Sequence, residues 1–181
     1  MSLQSIQGSW RLSWTPRRTY KAPFSSNLKQ LTYELLPSEH VTVHAVTQNI
    51  DPARREWTDT AYMRFDNGFF AAWRMEGLVL DTPVRRPDPA VIDGRPRDTP
   101  ALPLDIEVCF VKAVLQSRCG SKAPPSVVPF LDRTIALNFT ARSQVVVLTD
   151  TSRIDKDPEG TLVMFSRDLL EGPFGAVQQM S

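Results

Sequence analysis

Asp59 is the residue in this chain most able to do chemistry. It sits in the run Trp57-Thr58-Asp59-Thr60-Ala61-Tyr62-Met63-Arg64-Phe65. With side chains alternating, Asp59 shares a face with Trp57, Ala61, Met63 and Phe65. A carboxyl group turned into an apolar interior must be hydrogen-bonded, paired or protonated, because burial penalises its charged form. Such a group titrates high and suits general acid or base work. Tyr33, between Leu31 and Leu35, offers a hydroxyl to a ligand carbonyl, and His44 is a second acid/base candidate. The same alternation puts Trp73 on a face with Phe69 and Met75. Trp57, Met63, Phe69 and Trp73 would form the wall of a substrate pocket suited to a planar or polyene molecule. Lys112 joins them only if the face of Val108, Phe110 and Val114 is inward. The opposite face, Cys109, Val111, Ala113 and Leu115, is equally apolar, so the choice stays open.

Other chemistries are absent from the sequence. His40 and His44 would lie about 13 Å apart on a strand at roughly 3.3 Å per residue, too far to share a metal. No phosphate loop and no nucleophile elbow is present. Asp155, Asp157 and Glu159 lack the glycine and spacing of a calcium loop and read as a solvated acidic turn. Cys109 and Cys119 read as idle thiols rather than a disulfide framework. No metal or cofactor is expected.

Strands must position these residues. Period-two alternation runs through residues 9–14, 30–35, 41–48, 57–65, 69–76, 105–116, 133–141, 144–150 and 161–167. Asp66-Asn67-Gly68 is a hairpin turn, since Asn-Gly accepts positive φ cheaply. Ala141-Arg142-Ser143 reads as another turn between strands. Such short links imply antiparallel neighbours, because parallel pairs need long crossovers. Short helices fit only before Gly8 and after Arg167. Residues 81–104 carry six prolines and four arginines. They read as a long loop and a candidate lid. Residues 117–132, with Pro124, Pro125 and Pro129, are likewise barred from a central strand.

The chain has 181 residues, 41% of them hydrophobic and 23% charged. That composition excludes disorder and predicts a single domain over 1–181. The 21 basic and 20 acidic residues leave a net charge of +1, which argues against a nucleic-acid or anionic-membrane partner. The first residues, Met1 to Ser9, lack the basic and apolar regions of a signal peptide. No run approaches the roughly 20 apolar residues of a membrane span. The cytoplasm is the simplest location. Oligomeric state is not legible.

Eight or nine strands in one sheet leave two exposed edges unless the sheet closes or stacks. The expected fold is all-β: a single antiparallel up-and-down barrel of about eight to nine strands. A β-sandwich and an α+β roll are the alternatives. Gly8-Ser9-Trp10, opening the first strand, resembles the G-x-W signature of the lipocalin-like (calycin) barrels. Arg167 is placed like the arginine that packs over that tryptophan. Thr149-Asp150 is similar to the family's T-D turn, but Thr151 stands where a tyrosine is expected. The resemblance implies a closed base, an open mouth and a cavity for a small hydrophobic molecule. It leaves carriers and enzymes equally admissible. The function expected is a cofactor-independent cyclase, isomerase or related lyase acting on a hydrophobic substrate, in the setting of secondary metabolism. The alternatives are a non-catalytic binder of a hydrophobic molecule or chromophore, and a structural protein whose barrel is filled by its own side chains.

Overall fold

The computed structural model describes residues 3–14, 41–80, 103–125 and 127–167. They form eight strands: β1 Gly8–Trp14, β2 Val41–Asp51, β3 Glu56–Phe65, β4 Phe70–Val79, β5 Leu104–Cys119, β6 Thr134–Leu148, β7 Ser152–Lys156 and β8 Leu162–Arg167. Each pairs antiparallel with the next, and β8 returns to β1, so the sheet is a closed up-and-down barrel. Closure is the physical answer to the edge problem: every strand finds two neighbours. No helix among the described residues is long and apolar enough to cross a membrane.

Alternation explains most of the core. On β3, Trp57, Asp59, Ala61, Met63 and Phe65 face inward and are buried. The β3–β4 turn forms at Asp66-Asn67-Gly68, where Gly68 has φ 82° and its N–H donates to the Phe65 carbonyl at 2.9 Å. Asn67 Oδ1 accepts from the Phe69 N–H at 3.0 Å, the local bond for which asparagine is favoured in turns.

Two departures from plain alternation matter. On β5 the inward residues are Leu104, Ile106, Val108 and Phe110, and then Ala113 and Leu115. Val111 and Lys112 both point out. The pairing shifts there against both β4 and β6, so a bulge switches the inward set. Each apolar face of residues 105–116 is therefore inward for half of the strand. The second departure is a correction. Residues 133–141 and 144–150 are not two strands with a turn at Ala141–Ser143. They are one strand, β6, of 15 residues. The turn comes later, where Thr149 Oγ1 accepts from the Ser152 N–H at 2.9 Å. The following strand, β7, falls where a solvated acidic turn was expected. Its sequence Ser-Arg-Ile-Asp-Lys has one apolar residue and gives no hydrophobic alternation.

The two ends of the barrel differ. At one end lie Trp10, the β2–β3 turn and a short 3-10 helix, Leu3–Ile6, whose Ile6 is fully buried. Val79 and Leu104, which flank residues 81–102, belong to this end, because the Val79 N–H bonds the Arg55 carbonyl. At the other end the β5–β6 connection crosses the β3–β4 turn. Asn67 Nδ2 donates to the Lys122 carbonyl at 3.0 Å, and Val127 enters the core. Tyr33, the strand expected over 30–35 and the candidate lid up to residue 102 lie outside the described residues.

Candidate functional site

The interior near Trp10 holds four polar side chains: Gln48 from β2, Asp59 from β3, and Arg153 and Asp155 from β7. Strand pairing places them. Trp10, Gln48, Asp59 and Met75 are directly opposed in succession across β1 to β4. Arg153 pairs with Phe165, which pairs with Leu12, and barrel closure brings β7 across from β2.

Arg153 is completely enclosed, at 0% exposure. Its Nε lies 2.9 Å from Asp155 Oδ1, and its Nη2 donates to Gln48 Oε1. The guanidinium also stacks on aromatic faces, 4.4 Å from the centre of Phe165, 5.2 Å from Trp10 and 5.6 Å from Trp57. Each ring face offers negative potential to a cation that water cannot reach. Burial pushes Arg153 down and Asp155 up from their ordinary values, and their mutual attraction opposes both shifts.

Asp59 accepts the indole N–H of Trp57 on Oδ1 at 2.8 Å. Its other oxygen, Oδ2, is buried with no hydrogen-bond partner among the described residues. Desolvation raises its carboxyl from 3.8 to about 7, against the lowering pull of Trp57, Arg153 and Gln48. The group is thus poised between its two protonation states near neutrality. Arg153 Nη1 is likewise buried and unpartnered among the described residues. One oxygen of the carboxyl and the two N–H donors of Nη1 remain unused within a shared cluster. Buried polar groups normally find partners, so both atoms retain unused hydrogen-bonding capacity.

The expected wall residues divide clearly. Trp57, Met63, Phe69 and Trp73 are all buried in the barrel core. Trp57 belongs to the polar end. Met63, Phe69 and Trp73 lie toward the β3–β4 turn. Lys112 is exposed on the outer wall and pairs with Glu76 at 2.7 Å. His44 lies at a bulge of β2, stacked 6.0 Å from Phe70, whose strand partner Arg64 is exposed. Neither Lys112 nor His44 joins the Asp59 cluster.

Sequence reading missed Gln48, Arg153 and Asp155. Asp155, which hydropathy assigns to a solvated turn, is 1% exposed. The signal present was slight: Arg153 and Asp155 stand two apart, as one face of a strand requires.

Among the described residues no group of three or more histidine, cysteine or acidic side chains could hold a metal ion. Cys109 and Cys119 are both unpaired on β5. No protein-family model, curated protein or solved structure matches the chain. The eight-stranded antiparallel barrel is compatible with a lipocalin-like fold, and such a barrel is a form able to bind small ligands.

Proposed function

We propose that the protein binds a small, largely apolar molecule inside the barrel, with an uncharged oxygen-bearing end set against Asp59, Gln48 and Arg153. The supporting observation is the pair of buried, unpartnered atoms Asp59 Oδ2 and Arg153 Nη1 among the described residues. Charge supports a neutral guest. Arg153 and Asp155 cancel, and a protonated Asp59 leaves the interior without net charge. A carboxylate would bring an unbalanced charge into this enclosure. A ketone, alcohol or ester oxygen would accept from Arg153 Nη1 and from the protonated Asp59. The seam of Trp10 and Arg167 favours a lipocalin-like relationship, and the cytoplasm remains the proposed location.

Nile red, a neutral dye, tests binding. It should brighten with one-to-one stoichiometry, and undecan-2-one should displace it. A folded protein that takes up neither molecule would refute the reading.

A second, catalytic reading rests on the titration of Asp59 near neutrality. A carboxylate beside a guanidinium removes a proton α to a ketone, and the guanidinium stabilises the enolate that forms. In a β,γ-unsaturated ketone, returning the proton at the γ-carbon of the dienolate is a cofactor-independent isomerisation; in a molecule with a second carbonyl, attack of the enolate carbon on that carbonyl, whose oxygen takes back the proton from Asp59, is a cyclisation. Secondary metabolism is the proposed setting. Deuterium exchange into the α-carbons of undecan-2-one in D2O tests this step. Exchange should fall to the uncatalysed rate in Asp59→Asn. Equal rates in both proteins would reject catalysis and leave the binding reading standing.

A further inference from the structure

Buried tryptophans usually find an acceptor for the indole N–H. In this core two of them do. Trp10 Nε1 donates to the Ile6 carbonyl at 2.8 Å, and Trp57 Nε1 donates to Asp59. Trp73 does not. It is 2% exposed, and its Nε1 has no partner among the described residues.

The surroundings of Trp73 mix large and small apolar side chains, with Leu115 opposite it on β5 and Met75 two residues on along β4, and none of these offers an acceptor. Ala61 stands directly opposite it on β3, and Ala71 shares its face on β4. Ala113 faces inward from β5, one inward position away from Leu115, which pairs with Trp73. Trp73 is also the diagonal neighbour of Asp59. Asp59 pairs with Met75, and Trp73 is two residues from Met75 on the same face. Such diagonal positions are about 7–8 Å apart.

We infer that Trp73 is a second polar anchor for the guest: its indole N–H donates to an oxygen several carbons away from the one held by Asp59 and Arg153. The guest is therefore a neutral, mainly hydrocarbon molecule with two oxygen functions. This rests on the reading of the interior as a ligand site and adds the second function and its spacing.

Undecan-2-one and a set of undecanediones, with the second carbonyl at positions 6 to 9, are the probes. Displacement of Nile red should show at least one dione binding about five-fold tighter than the mono-ketone, the size of one neutral hydrogen bond. Trp73→Phe should abolish that preference: whatever it does to the mono-ketone, the dione should lose about five-fold more affinity, so the two probes bind alike. In the wild-type protein the Trp73 indole N–H resonance should move downfield with the preferred dione and stay in place with the mono-ketone. That measurement holds even if the Phe variant fails to fold. A mono-ketone that binds as well as every dione, or an indole resonance that no dione moves, overturns the second anchor alone. Failure of all probes, Nile red included, overturns the ligand site and the anchor with it.

Discussion

The guanidinium of Arg167 lies 4.6 Å from the centre of the Trp10 ring, and the two residues are directly paired across the β1–β8 seam. The first and last described strands are therefore held by a cation stacked on an indole as well as by their backbone ladder. The Arg167 side chain also donates to the Gln7 carbonyl at 3.3 Å. Gly8 makes room for it: its φ is 120°, and a Cβ there would come within 3.2 Å of Arg167 Nη1. Arg167→Ala should cost about 1–2 kcal/mol, the range for a partly desolvated cation–π contact plus lost packing. Urea unfolding followed by tryptophan fluorescence checks it. A variant as stable as wild type would show that the ladder alone closes the barrel.

Asp59 sets a pH dependence. Its carboxyl titrates at 3.8 when unfolded and at about 7 when folded, so between these values the folded state binds more protons. Stability from this group is greatest below about pH 4, falls as pH rises to about 7, and is level above that. The span corresponds to about 4 kcal/mol as an order of magnitude, at 1.36 kcal/mol per unit. Asp59→Asn keeps an acceptor for Trp57 and removes the charge. The variant should come closest to wild type below about pH 4 and exceed its stability increasingly up to about pH 7 and above. Urea midpoints across this range measure the difference. Parallel curves for the two proteins would contradict a buried, high-titrating carboxyl.

The Arg153–Asp155 pair should be costly to break and cheap to replace whole. Arg153→Met leaves Asp155 unpaired at 1% exposure and should lose about 3–5 kcal/mol. Arg153→Met with Asp155→Leu should regain most of that loss, because no lone charge stays buried. A double-mutant cycle in urea gives the coupling. Additive losses would mean that the two charges do not sense each other.

Lys112 makes the opposite case. Its 2.7 Å ion pair with Glu76 is on the surface, with the side chains 46% and 29% exposed. Lys112→Ala should shift stability by less than about 1 kcal/mol and leave Nile red uptake unchanged. A large effect on uptake would place this lysine in the binding site after all.

Gly120→Ala should destabilise by about 1–3 kcal/mol. The residue has φ 99°, and a Cβ there would collide with the Gly68 carbonyl oxygen, backbone that cannot step aside. Thermal unfolding measures the loss. An unchanged midpoint would show that the two turns separate readily.

Much of the wall was legible because the pleat is local. Any strand with one buried face must alternate, so Trp57, Asp59, Ala61, Met63 and Phe65 declared their side without reference to the rest of the chain. The hairpin at Asn67-Gly68 was equally local, since it depends on one residue with positive φ. Residues 105–116 were harder. Both of their faces are apolar because a bulge at Val111 and Lys112 exchanges them midway, and a bulge is set by the register of two neighbouring strands. Strand β7 was invisible to hydropathy, because two of its inward side chains are charged.

Sequence alone therefore favoured the all-β character and antiparallel neighbours and put Asp59 on one face with Trp57, Ala61, Met63 and Phe65; closing the sheet rather than stacking it was left to the tertiary structure. Tertiary structure decided what Asp59 meets. Arg153 reaches Gln48 across 105 positions of chain, a meeting that exists only once the last strands return to the first. A charge can remain buried there because the barrel brings its counter-charge, an acceptor amide and three aromatic faces to the same place. No local pattern encodes that coincidence, since each partner is contributed by a different strand.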